Sequence, residues 1–100
     1  MKSDIYAMGV VLLESISGRR AFDPNLPEGQ QNLVEWSTLS QSNRRNVKEI
    51  IDPRLEHNYP LHGVSECVSL ALKCVANKPK NRPSSEEVWQ RLRHIYAIYK

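Results

Sequence analysis

The segment from Asp4 to Ser17 constrains this chain more than any other. Its apolar residues are Ile5, Tyr6, Ala7, Met8, Val10, Val11, Leu12, Leu13 and Ile16. Ser3 and Asp4 suit the start of a helix, where a short polar side chain caps the first amides and an acid meets the positive end of the dipole. Gly18 is placed to end the helix in the left-handed conformation. The apolar residues between do not gather into a stripe; they go all the way round. A helix apolar on every side must be buried on every side. A chain of 100 residues buries only a modest core and is too short to surround its own first helix. In isolation such a helix would leave an apolar face uncovered, which favours self-association.

The rest of the chain reads as helices divided by punctuated loops, with no internal repeat and no alternating stretch long enough for a strand. Pro24, Pro27 and Gly29 break the polar loop from Arg19 to Gln31. A short helix follows Asn32 and carries Leu33, Val34, Trp36 and Leu39. Another spans about Arg44 to Ile51, with Val47, Ile50 and Ile51 on one face, and Asp52-Pro53 stops it. Arg54 to Pro60 reads as loop. From Leu61 to Ala76 the apolar positions 61, 64, 68, 71, 72 and 75 have helical spacing. Asn77 to Pro83 is a second loop. Ser84, with Glu87 three residues on, forms a capping box, and the last helix continues through Val88, Leu92, Ile95 and Tyr99. The expected fold class is all-α, with about five helices.

Composition narrows the function classes. Net charge is +3, and the basic residues are spread over loops and several helices instead of one recognition helix, so no nucleic-acid partner is expected. Arg44, Arg45 and Lys48 read as a solvated face. The longest apolar stretch, Ile5 to Leu13, falls far short of the roughly 20 residues that span a bilayer, and no signal peptide is evident, so no direct membrane insertion is expected. Cys67 and Cys74, if on one helix, sit about 10 Å apart along its axis. A disulfide needs α-carbons within roughly 7 Å, so both read as reduced thiols of an intracellular protein. His57, His62 and His94 have no metal-ligand spacing. Trp36 and Trp89 read as core or partly exposed packing residues.

Two segments go beyond generic helix. Asp4, Tyr6, Gly9, the apolar run to Glu14, and Gly18 resemble the long central helix of the large lobe of protein kinases. Cys74 to Pro83, with Pro79 ahead of the Arg82-Pro83 pair, resembles the kinase segment before the final helix. They occur in kinase order at kinase separation. Between them, Asn32 to Trp36 and Asp52 to Leu55, with Tyr59-Pro60 after, are similar to plant receptor-like cytoplasmic serine/threonine kinases. The resemblance covers essentially the whole chain. It implies a partial kinase domain over residues 1–100, the C-terminal helices of the large lobe, with the small lobe, catalytic loop and activation segment absent.

The resemblance also assigns structural roles. The kinase counterpart of Asp4 is buried and accepts hydrogen bonds from the catalytic-loop backbone, as a carboxylate does well. Gly9 would let the helix approach its neighbours closely. The counterpart of Arg82 pairs with a Glu at the end of the activation segment, a use that suits a planar guanidinium. Two departures stand out. Ser15 lies where relatives usually carry a large apolar residue facing the core, and Met1 replaces the small polar residue that usually precedes Lys2, so a start here looks like a truncation.

Phosphoryl transfer needs a Gly-rich loop, a strand Lys paired with a helix Glu, a catalytic Asp and Asn, and a magnesium-binding Asp. None of these motifs occurs. No catalytic, cofactor-binding or metal residue is therefore assigned, although the full-length family uses ATP and Mg²⁺. Two expectations follow. The chain is a fragment of a serine/threonine kinase that acts on intracellular protein substrates, with receptor kinases among its partners and the cytosolic face of the plasma membrane a location for full-length relatives. Alternatively, it is a non-catalytic binding module or decoy for kinase partners.

Overall fold

A computed structural model of the chain describes residues 2–42, 50–56 and 61–99. Five α-helices occur among them: α1 (Lys2–Ser17), α2 (Leu33–Ser42), the single turn α3 (Pro53–Glu56), α4 (Leu61–Cys74) and α5 (Ser85–Tyr99), with a 3₁₀ turn at Pro79–Asn81. No strand is present among the described residues, only an isolated antiparallel bridge between Phe22 and Asn32. The fold is all-α.

Local chemistry sets the helix ends. Gly18 takes the left-handed conformation, φ 71°, and its amide donates to the Glu14 carbonyl at 2.9 Å. The α5 start is a reciprocal capping box: the Glu87 amide donates to Ser84 Oγ at 3.1 Å, and the Ser84 amide donates to Glu87 Oε1 at 3.2 Å. Asn32 Oδ1 caps α2 by accepting from the Glu35 amide at 3.0 Å.

Asp52-Pro53 behaves differently from expectation. The residues that follow are not all loop, because α3 begins at Pro53. Asp52 Oδ1 accepts from the Arg54 amide at 3.0 Å, which makes Asp52 an N-cap with Pro at the first helical position, where a missing N–H is harmless. The dipeptide expected to stop a helix is thus seen to start one. The expected helix over 44–51 lies largely outside the described residues, as do Tyr59-Pro60, Arg44, Arg45, Lys48 and the side chains of Leu39, Leu61 and Tyr99.

The core has three joined parts, and α4 belongs to all of them. On one side Val64 and Val68 pack with Ile16, Ile50 and Ile51. Ala71 and Val75 pack with Leu13 and Leu33. On the other side Leu70 and Cys74 meet Ile5 of α1 and Val88 and Ile95 of α5. The expected α4 stripe did not include Leu70, Cys67 or Cys74. Leu70 and Cys74 are buried, and Cys67 partly so, because α4 lies between α1 and α5 and has two apolar faces. Cys67 and Cys74 form no disulfide, and burial pushes the Cys74 thiol up from its ordinary value.

Candidate functional site

Helix α1 is closed on one side and open on the other. Ile5, Gly9, Leu13, Ile16 and Ser17 are buried. The exposed residues Asp4, Ala7, Met8, Val11 and Ser15 recur at three- and four-residue steps, so they share one face. Met8 is 39% exposed and Val11 58%. This is the uncovered apolar face expected of so short a chain, while the opposite side of the helix is packed against α4. Ser15, expected at a core-facing position, belongs to the open stripe.

Gly9 packs closely against α4 and the residue that follows it. A Cβ built there would lie 2.7 Å from Cys74 Cβ, 2.7 Å from Val75 Cγ1 and 3.0 Å from the Ala71 carbonyl oxygen. Glycine is required by contact, since any side chain would force the helices apart.

Arg82 holds the N-terminal end of α1. Its Nε donates to the Ala76 carbonyl at 2.8 Å and its Nη1 to the Lys2 carbonyl at 3.1 Å. Its guanidinium carbon stands 4.8 Å from the centre of the Tyr6 ring, a cation–π distance. Lys2 Nζ returns a bond to the Arg82 carbonyl at 2.5 Å. Asp4 and Arg82 therefore lie at the same end of α1, while Gly9 sits half-way along its buried side. Sequence reading named these three positions but not what clasps Arg82 here, because Lys2 and Ala76 are far apart in the chain.

The C-terminal end of α1 is held by contacts that the sequence does not announce. The Asp52 amide donates to the Ile16 carbonyl at 2.8 Å. Asp52 and Arg54 form an ion pair at 2.6 Å beside Gly18, and the Arg54 guanidinium holds the Asp52 carboxyl below its ordinary value. The Ala21 amide donates to Glu14 Oε2 at 3.0 Å, so the loop after α1 is tied back to it. Arg19 stacks over Trp36 at 4.3 Å. Trp36 is a packing residue, whereas Trp89 is 62% exposed.

Among the described residues no group of three His, Cys, Asp or Glu side chains converges as a metal site, and no helix is long and apolar enough to cross a membrane. The arrangement is an exposed apolar stripe on a helix held at both ends, with a carboxylate at one end.

No protein-family model matches the chain. Curated proteins do match over nearly its full length. A probable serine/threonine-protein kinase of Arabidopsis thaliana, PBL9, is 43% identical over 97% of the chain and 24% of its own length. Receptor-like cytoplasmic kinase 176 of Oryza sativa subsp. japonica is 47% identical over 87% of the chain and 22% of its own length. Serine/threonine-protein kinase PBL34 of Arabidopsis thaliana is 41% identical over 94% and 19% respectively. The chain thus spans about a quarter or less of the length of the curated relatives it matches.

Proposed function

Since this chain belongs to the plant receptor-like cytoplasmic serine/threonine kinases, we propose that it is a segment of the C-terminal part of the large lobe and serves as the helical base of such a kinase. In full length the enzyme would transfer the γ-phosphate of ATP, held with Mg²⁺, to Ser or Thr of protein substrates in intracellular signalling. In this reading the open face of α1 seats the catalytic part of the lobe, and Asp4 accepts hydrogen bonds from the catalytic-loop backbone. Arg82, with donor capacity beyond the two carbonyls it already serves, takes the Glu at the end of the activation segment. Gly9 keeps α1 against α4 so that this base is rigid. The segment alone is non-catalytic. Its partners are proteins, receptor kinases included, and its place is the cytoplasm or the cytosolic face of the plasma membrane.

The observation that carries the reading is the exposed stripe of α1, Ala7, Met8, Val11 and Ser15 running from Asp4, on a helix whose other side is fully packed. An antibody against α5 tests it. The expected immunoblot band is several times heavier than 11.5 kDa, and the precipitate transfers labelled phosphate from ATP to Ser or Thr of a protein substrate. A heavy band whose precipitate transfers none would sink the proposal. A single band near 11.5 kDa would replace it with the binding-module reading.

A further inference from the structure

The loop between α1 and α2 is a built structure with an open cavity at its tip. The Asp23 amide donates to the Gln31 carbonyl at 3.0 Å and the Leu33 amide to the Ala21 carbonyl at 3.0 Å. Gln31 Nε2 donates to the Leu26 carbonyl at 3.1 Å. Gly29 turns the chain with φ 91°. These bonds fix the walls of a cavity of about 310 Å³ lined by Phe22, Glu28, Gly29, Gln31, Asn32 and Glu35. That volume is at the low end of the roughly 300–1,000 Å³ of small-ligand pockets.

Its lining is one-sided in charge. Two carboxylates border it and no Lys or Arg does, although the chain as a whole is cationic at +3. Phe22 is 58% exposed, which leaves an aromatic ring uncovered beside two acids. A guanidinium is the side chain whose chemistry complements both kinds of group. Its flat face is attracted to the ring, and its fork of donors suits carboxylate oxygens. Preformed walls lower the ordering cost of binding.

We propose that this cavity is a docking site for an arginine side chain presented by an extended segment of a partner protein. The site uses none of the residues given a role in kinase architecture, so it stands or falls apart from the function proposed above.

The test is an NMR titration of the ¹⁵N-labelled chain with the peptide acetyl-Ala-Arg-Ala-Arg-Ala-amide at low salt. Its twin carries citrulline, neutral and nearly isosteric, in place of both arginines. The arginine peptide should shift the Gly29, Gln31 and Glu35 amides saturably, and the citrulline peptide should not. Glu28→Gln, Glu35→Gln and Phe22→Ala should each weaken binding roughly threefold, whereas Glu86→Gln on α5 should leave it unchanged. All three side chains are at the surface, so the variants keep the parent spectrum elsewhere. Equal response to both peptides, full affinity in the Glu28→Gln/Glu35→Gln double variant, shifts centred elsewhere, or none at millimolar peptide would overturn the proposal.

Discussion

Replacing Gly9 by Ala puts the packing argument at risk. In an exposed helix interior this change would stabilise by about 1 kcal/mol, because Gly loses more backbone entropy than Ala. Here the new methyl would meet Cys74 Cβ and Val75 Cγ1 at 2.7 Å. Val75 can rotate; Cys74 Cβ is fixed to its backbone and cannot. Ordinary contact begins near 3.4 Å, so α1 and α4 must part by about 0.7 Å. A gap of that size forfeits roughly a quarter to a half of the dispersion attraction between facing atoms, and Leu13 and Ala71 lie in the same interface. Overpacking costs about 1–3 kcal/mol, and the immovable Cβ places this case at the upper end. After the propensity gain, the expected net loss is about 2 kcal/mol, or roughly 10 °C in melting midpoint for a domain of this size. Urea unfolding followed by helical circular dichroism at low micromolar protein measures it. Ser15→Ala, on the exposed side of the same helix, is the control and should gain about 0.5 kcal/mol or less. A Gly9→Ala chain as stable as its parent would refute the close approach of α1 and α4.

Ser84→Ala should remove about 1 kcal/mol by opening the α5 capping box, lowering the melting midpoint by about 4–8 °C. The hydrogen bonds with Ser84 hold the Glu87 carboxyl below its ordinary value of 4.5. Its contribution to stability is therefore complete above pH 4.5 and lost as pH falls through the lower folded value; urea midpoints should drop in that range, and Glu87→Gln should flatten the drop. The open α1 stripe should drive association of the 100-residue chain, and Val11→Lys should return it toward the 11.5 kDa monomer in sedimentation velocity. A parent that is monomeric at all concentrations would contradict that.

Much of the candidate site could be read without coordinates, and the reason is the locality of its signals. Asp4, Gly9 and Arg82 stand in short patterns with fixed offsets, so they were visible in one dimension. The bonds that place them were not. Arg82 reaches the Lys2 carbonyl across 80 positions, and no periodicity announces such a pairing. The cavity beside Phe22 was equally hidden, since Phe22, Glu28 and Glu35 come together only when the loop closes by the Phe22–Asn32 bridge.

By itself the sequence determined what depends on near neighbours along the chain: the all-α class, the α1 end at Gly18, the capping box at Ser84 and Glu87, and the kinase kinship carried by motifs in order. Helix caps and hydrophobic spacing act over one or two turns. The tertiary structure decided everything that needed a choice of partner. It made Asp52-Pro53, legible in the sequence only as a stop, the cap of α3 and set it against the end of α1. It buried α4 on two faces, which its stripe alone did not predict. Above all it chose which side of α1 meets α4. An all-round apolar helix has no preferred face of its own, and only Gly9 admits the close approach that leaves Met8 and Val11 outside.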